Sequence, residues 1–342
     1  MTGIPAALAA ALLFGVATPL AKLLLGPLDP WLLAGVLYLG SGIGLALVRF
    51  VRVERGSPIR RHDIPWLVMA IGLGGLIGPV LLMWGLARIS ASAASLLLNS
   101  EGVFTALIAW FVFRENFDRR IALGMCFIVL GAAVLSWPAD GRREALLPSL
   151  AIVAACFAWG LDNNLTRKVA LVDPTTIAML KGLGAGTLNL GLALAAGASL
   201  PSPAPLAAAA VLGFMSYGVS LVLFVTALRA LGTARTGAYF STAPFAGAVL
   251  SVLMMHEELT WRLGVAFLFM MAGVWLHFTE HHVHAHSHEA MDHDHQHDHD
   301  AHHLHEHDTP STPGTPHSHR HHHEPMTHSH EHYPDAHHRH RH

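Results

Sequence analysis

From residue 4 to residue 278 the chain alternates long apolar runs with short polar interruptions. A helix needs about 20 mainly apolar residues to cross the hydrocarbon core of a bilayer. Ten runs approach that length, near 4–25, 31–50, 65–86, 91–113, 121–137, 148–166, 175–197, 207–230, 236–255 and 260–278. The pattern therefore predicts an all-α polytopic membrane protein with ten transmembrane helices. The interruptions GPLDP, VRVERGSPIRRHD, ARIS, RENFDRR, PADGRRE, TRKVALVDP, PSPAP, LGTAR and HEELT carry turn formers or charges that stop a helix. Connections this short force consecutive helices to run antiparallel. After residue 280 the pattern ends. Residues 281–342 hold few apolar side chains and cannot bury enough surface to fold alone, so a disordered tail is expected.

Lys and Arg in short loops set the orientation of such a chain. Loops on the side of the N-terminus hold Arg49, Arg52, Arg55, Arg60, Arg61, Arg114, Arg119, Arg120, Arg167, Lys168, Arg229 and Arg235, twelve in all. The opposite loops hold four: Arg88, Arg142, Arg143 and Arg262. That bias puts the N-terminus in the cytoplasm, and ten spans return the tail to the same side of an inner membrane. The stretch MTGIPAALAAALLFG has no basic segment, and its apolar run continues to Leu25, so it reads as a retained span rather than a cleaved signal.

Composition agrees. Mean hydropathy is +0.43 even with the polar tail included. Charged residues make up 13%, about half the soluble-protein norm of roughly 25%. No basic stripe suggests a nucleic-acid partner. Cys126 and Cys156 lie inside apolar runs and form neither a disulfide framework nor a CxxC site, so they read as small core side chains. No Walker, HExxH or nucleophile-elbow motif is present, so no enzyme and no ATP-driven pump is expected from this chain.

The chain also repeats itself. FGVATPLAKLLLGPLDP (14–30) aligns with WGLDNNLTRKVALVDP (159–174) across a one-residue gap, so that Gly15 meets Gly160, Lys22 meets Arg167 and Asp29-Pro30 meets Asp173-Pro174. Gly40 and Gly42 then meet Gly184 and Gly186. FRENFDRR (113–120) aligns with MHEELTWR (255–262), with Glu115 on Glu257, Arg120 on Arg262 and, further on, Gly131 on Gly273. Five spans per half is an odd number, so the second half enters the membrane from the opposite face as an inverted repeat.

Ten spans in two repeats, an acidic residue after the fourth span of each half (FRE, HEE) and Gly-rich third and eighth spans make residues 4–280 similar to the EamA-type permeases of the drug/metabolite transporter superfamily. The resemblance implies a secondary transporter with repeats over 1–140 and 141–280, a lipid bilayer and a small-molecule substrate as partners, and a pathway between the halves. The family includes exporters of amino acids, nucleobases, drugs and other metabolites, so the substrate stays open. Glu115 and Glu257 match the family motif and are read as structural. The tail over 281–342 is not part of the family pattern.

An ionisable side chain inside a span is costly and usually faces a cavity or a partner. Three have apolar repeat counterparts, which sets them apart from scaffold features. Glu101 lies ten residues into the fourth span, roughly 15 Å deep at 1.5 Å per residue, opposite Ala243 in the repeat. It reads as a proton or cation carrier or a ligand for a cationic substrate group, against a carboxylate permanently held by Asn99 and Ser100. Asp162 and Lys181, whose counterparts are Ala17 and Leu37, lie at a depth where they can meet as a salt bridge or as substrate contacts. Asn163 and Asn164 beside Asp162 add polarity and favour a lined cavity. Lys22 lies near the outer end of span one, where it can snorkel to the interface.

Trp84, Trp159, Tyr217 and Tyr239 are polar-tipped rings within spans and need partners; Trp159 and Tyr239 belong to spans that would flank the pathway in the family architecture. Gly72, Gly74, Gly75, Gly78 and Pro79 permit close approach or bending in span three, and Pro244 is expected to kink span nine. Asp118 and Thr260 sit where a helix N-cap belongs, and His256, Glu257 and Glu258 read as a structural turn before a metal site.

The tail holds 25 of the 28 histidines. His293, His295, His297, His299, His302 and His303 lie in the densest stretch, DHDHQHDHDAHH, and imidazole is the common ligand of borderline divalent ions. With no fixed spacing, such binding of Zn, Ni, Co or Cu would be labile, and no cofactor is required. Three readings follow: a metabolite or drug exporter, running downhill or coupled to protons; a divalent-metal transporter whose tail collects or senses the ion; and a membrane-tethered metal buffer or sensor. The spans offer no mid-membrane histidine, which favours the first.

Overall fold

The computed structural model describes residues 3–51, 59–113, 119–137, 146–169, 172–231 and 233–278, and in the tail 283–288, 291–297, 317–323 and 326–331. The chain divides into two compact units, Met1–Glu280 and His281–His342.

The first unit is helical. Helices α1 (Gly3–Leu24) and α2 (Pro30–Val51) are joined by a turn in which the Asp29 carboxylate accepts from the N–H groups of Trp31 and Leu32 at 2.9 and 3.2 Å. Pro30 fills the first helical position, where its missing N–H costs nothing. The third run changes winding midway: α3 (Ile64–Ala70), a π-helical stretch (Ile71–Ile77) and α4 (Gly78–Leu86). The fourth breaks into α5 (Ala91–Leu97) and α6 (Ser100–Phe113). Helices α7 (Arg119–Ser136), α8 (Leu147–Arg167) and α9 (Pro174–Ala195) follow, and α9 is capped by Asp173, whose carboxylate accepts from Thr176 N–H at 2.8 Å. Then come α10 (Pro203–Gly213), a second π-helical stretch (Phe214–Val219) and α11 (Ser220–Leu231). The ninth run breaks into α12 (Thr233–Phe240) and α13 (Ala243–Met255), and α14 (Trp261–Phe278) closes the unit. Pro244 was expected to kink this run. Instead the helix stops at Ser241–Thr242, and Pro244 takes the first turn of the new helix, where its ring clashes with nothing.

Among the described residues seven runs are long and apolar enough to cross a membrane, namely Gly3–Leu24, Pro30–Val51, Ile64–Leu86, Ala91–Val112, Arg119–Ser136, Pro174–Ala195 and Pro203–Ala227. Ala243–Met255 and Trp261–Leu276 are shorter apolar helices. Helix α2 lies along α9 and α7 along α14, while α1 packs on α11 and α13, and α8 on α4 and α6. Between α2 and α9 the backbones nearly touch: a Cβ on Gly182 would stand 2.5 Å from the Gly42 nitrogen. Lipid gives helices no hydrophobic reason to associate, so such close van der Waals contact at small residues holds them together. The core gathers Leu32, Leu33, Leu37, Leu82, Met83, Leu86 and Ile152. Leu47, Phe50, Phe111, Leu268 and Trp275 face outward, as on a lipid-covered surface.

In the second unit β1 (Val283–His288) pairs antiparallel with β4 (Met326–Glu331), and β2 (Met291–His297) with β3 (His317–His323). MDHDHQH and HSHRHHH carry a histidine at every second position, the two-residue period of a strand.

Candidate functional site

Helix α8 organises the polar centre. Its side chains reach α9, α6 and the first π-helical stretch, all of which pack against it or beside it. Asp162 on α8 and Lys181 on α9 form a buried ion pair: Lys181 Nζ donates to Asp162 Oδ1 at 2.7 Å and Oδ2 at 2.6 Å, and to Thr166 Oγ1 at 3.2 Å. Thr166 Oγ1 donates in turn to Asp162 Oδ1 at 2.9 Å. The ammonium therefore has three acceptor atoms, and the carboxylate receives three hydrogen bonds from two donors, with side-chain exposures of 10% and 8%. The cluster is closed on itself. Gly74 makes room for it, since a Cβ there would lie 2.0 Å from Asp162 Oδ2.

Glu101 is held differently. It sits in the first turn of α6, just past the break at Leu98–Asn99, where the helix dipole favours a negative charge. Asn163 Nδ2 donates to Glu101 Oε1 at 2.8 Å and to Thr105 Oγ1 at 3.2 Å. Asn164 Nδ2 donates to the carbonyls of Thr105 (3.1 Å) and Gly160 (2.8 Å), fastening α8 to α6 beside it. Glu101 is half-buried, Asn163 is exposed, and Glu101 Oε2 has no hydrogen-bond donor among the described residues. Asn99 and Ser100, the partners considered from sequence, do not hold the carboxylate: Asn99 Nδ2 turns back to Leu96 O at 3.0 Å, and its Oδ1 is buried without a partner.

The π-helical stretch explains the aromatic residues. A π turn frees carbonyls that an α-helix would use. The Gly74 carbonyl accepts from Trp159 Nε1 at 2.8 Å and Tyr38 Oη at 3.1 Å, and the Gly75 carbonyl from Asn189 Nδ2 at 2.7 Å. From Tyr38 a ring cluster continues across α1, the second π-helical stretch and α12: Tyr38–Tyr217 centroids are 5.3 Å apart, Phe14–Tyr217 5.9 Å and Phe14–Phe240 5.3 Å. Sequence reasoning missed Tyr38, Phe14 and Phe240, because an aromatic in an apolar run reads alike whether it faces lipid or the centre. One signal was present: Phe14 aligns with Trp159 in the repeat.

The structure thus brings together Glu101 with Asn163, and Asp162 with Lys181, and ties Trp159 to the same helix surface. Tyr239 is half-buried on α12, which packs on α1 and α11, beside Phe240. Trp84 is a surface residue with the Arg88 guanidinium 4.0 Å from its ring centre. Lys22 does not simply snorkel; its ammonium donates to the carbonyls of Leu86 (2.5 Å) and Ile89 (2.8 Å) at the end of α4. Cys156 is buried and Cys126 exposed, and no group of three metal-ligating side chains occurs among the described residues. Glu115, Asp118, His299, His302 and His303 lie outside the described residues; of His293, His295 and His297 only the backbone is described.

Glu257 caps a helix, as its structural reading required. Its carboxylate accepts from the N–H groups of Ala91 (2.6 Å) and Ser92 (2.9 Å) at the start of α5. Beside it lies an open recess of about 310 Å³ lined by Ser90, Glu258, Thr260 and Arg262, away from Glu101. Glu257→Ala is expected to destabilise the protein by about 1.5–3 kcal/mol, the value of a charge-assisted hydrogen bond, read as a lowered unfolding temperature in detergent; Glu258→Ala should leave it unchanged.

The profile of the EamA-like transporter family matches residues 1–137 and 146–279. A protein of Methanothermobacter thermautotrophicus described as an uncharacterized transporter is 27% identical over 78% of this chain and 83% of its own length. A pseudopaline exporter of Pseudomonas aeruginosa is 24% identical over 37% of this chain and 44% of its own. A solved crystal structure superposes with a TM-score of 0.57 at 19% identity, covering 80% of this chain and 97% of that one, which is a likeness of fold.

Proposed function

Because the chain belongs to the EamA-like transporter family, a multi-pass membrane protein whose partners are the lipid bilayer and a small-molecule substrate, we propose that it exports a small organic metabolite or drug by alternating access. Its pathway runs between two inverted five-helix halves, residues 1–140 and 141–280, with both termini cytoplasmic. The observation that carries this reading is Glu101: a mid-span carboxylate at a helix break, with one oxygen lacking a donor among the described residues. Broken helices at mid-membrane are where secondary transporters place substrate and coupling-ion sites.

Several contacts support the two halves. Helix α1 packs on α11 and α13 as its counterpart α8 packs on α4 and α6, while α2 meets its own counterpart α9 and α7 meets α14. The third run of each half contains a π-helical stretch, and the fourth run of each half is broken. Ten spans arise when α8 and the runs over 233–255 and 261–278 are counted with the seven longest apolar runs. Export as the direction is supported by the relative named an exporter.

In this reading Glu101 carries a proton or a cationic group in turn. Glu101→Gln keeps the shape and removes the charge. Exchange driven by an imposed pH gradient in proteoliposomes should fall by roughly an order of magnitude or more, since a contact to a charged group is worth about 1.5–3 kcal/mol. Unaltered exchange with an unaltered response to pH would remove Glu101 from the coupling step.

A second reading concerns the tail. The β2–β3 register sets His293 opposite His321, His295 opposite His319 and His297 opposite His317. Opposed positions of an antiparallel pair share one face, so imidazole-bearing positions recur in cross-strand pairs. The tail then collects Zn, Ni, Co or Cu reversibly. A chain ending at Glu280 should export its organic substrate normally while losing immobilised-nickel retention and altering metal tolerance; unchanged metal behaviour would leave the tail without this role.

A further inference from the structure

We infer that the substrate is an organic cation with a flat apolar body, an ammonium carried on an aromatic or similarly planar ring. This rests on the export reading above and names the substrate class of that same site.

Charge is the first support. The polar centre contains Asp162, Lys181 and Glu101. The donors of Lys181 go to both Asp162 oxygens and to Thr166. That pair is neutral and all three N–H donors of the ammonium are engaged, so it has no donor left to offer a ligand. Glu101 receives one neutral amide on Oε1. The centre therefore carries one uncompensated carboxylate, half-buried between α6 and α8, where Coulomb attraction is stronger than in bulk water. A cation supplies the missing partner. An anion would meet repulsion from Glu101 and find the lysine already engaged.

The rings are the second support. Phe14, Tyr38, Tyr217 and Phe240 come from four separate elements and meet in tilted and edge arrangements. All four are half-buried rather than sealed in the core. The Tyr217 hydroxyl has no hydrogen-bond partner among the described residues, although such a ring tip normally has one. Ring faces gathered from several helices attract cations and stack on planar ligands.

Charge and rings lie on one continuous surface. Asn163, which holds Glu101, stands four residues from Trp159 on α8, one turn along the helix. Trp159 shares the Gly74 carbonyl with Tyr38, and Tyr38 packs on Tyr217. A metal ion would use neither the rings nor a single carboxylate, and the described residues hold no cluster of three metal ligands.

The test uses three permanently charged probes in proteoliposomes of the full-length protein: phenyltrimethylammonium, tetramethylammonium and benzenesulfonate. Counterflow of phenyltrimethylammonium is expected to exceed that of either other probe at least tenfold. Glu101→Asp should keep the preference for the cation over the sulfonate, and Glu101→Gln should abolish it. Phe14→Leu with Tyr217→Leu should bring phenyltrimethylammonium down toward tetramethylammonium. Equal or faster movement of benzenesulfonate or tetramethylammonium overturns the substrate class while leaving export in place. If no probe moves but the deletion strain accumulates another compound, the class is overturned and export again stands; if nothing moves in either assay, both fall. Monodispersity of each variant on size-exclusion chromatography separates a lost site from a lost fold.

Discussion

Lys181→Met is expected to destabilise the folded protein by about 3–5 kcal/mol, because it leaves Asp162 buried and ionised without its partner. The ammonium contributes both short contacts to Asp162, at 2.7 and 2.6 Å, and only Thr166 would remain as a donor. The cost belongs to the orphaned charge more than to the lost bond. Asp162→Leu combined with Lys181→Met should therefore recover most of the stability, since an apolar pair of similar volume often matches a buried ion pair. Thermal unfolding of the purified variants in detergent reads this directly. A double variant no more stable than Lys181→Met would show that the pair is not the closed unit its geometry describes. The transport phenotype of the double variant adds information: a structural bridge predicts retained exchange, whereas a substrate contact predicts its loss.

Gly74→Ala is the second large effect. The new Cβ would stand 2.0 Å from Asp162 Oδ2 and 2.3 Å from its Cγ. The carboxylate cannot swing away cheaply, because Lys181 and Thr166 hold both its oxygens. Either the ion pair is pulled apart or the π-helical stretch shifts, and the latter displaces the carbonyl that holds Trp159 and Tyr38. Overpacking of this kind costs about 1–3 kcal/mol, and exchange should drop with it because the ring cluster moves. Gly72→Ala is the control, two residues away in the same stretch with nothing within 4 Å of its added Cβ. It should stay within about 0.5 kcal/mol of the parent. Equal behaviour of the two variants in unfolding temperature and counterflow would contradict the packing described.

Much of the architecture was legible in the sequence because bilayer thickness makes element length a physical constant. Every described helical run falls within a few residues of an apolar run read from the chain, and the Asp29 and Asp173 carboxylates matched in the repeat both accept backbone N–H groups at a helix start. Breaks were harder. Leu98–Asn99 lies inside a continuous apolar run, and nothing in hydropathy marks where its helix stops. The π-helical winding was equally hidden; four glycines announced that span three could bend without saying how. The aromatic cluster was the least visible, since Phe14, Tyr38 and Phe240 are unremarkable in apolar runs until the helices are packed.

The sequence by itself determined the membrane-spanning class and marked Glu101, Asp162 and Lys181 as ionisable residues inside apolar runs, because hydropathy and the cost of a buried charge act residue by residue along the chain. Only the tertiary structure decided which charges neutralise each other. Asp162 and Lys181 are nineteen positions apart and sit on different helices, and Glu101 finds Asn163 sixty-two positions away. Pairing depends on helix rotation and close approach, which are set by small residues such as Gly74 and Gly182 pressing against particular neighbours. That packing turns three equivalent-looking ionisable residues into a closed ion pair and one open carboxylate.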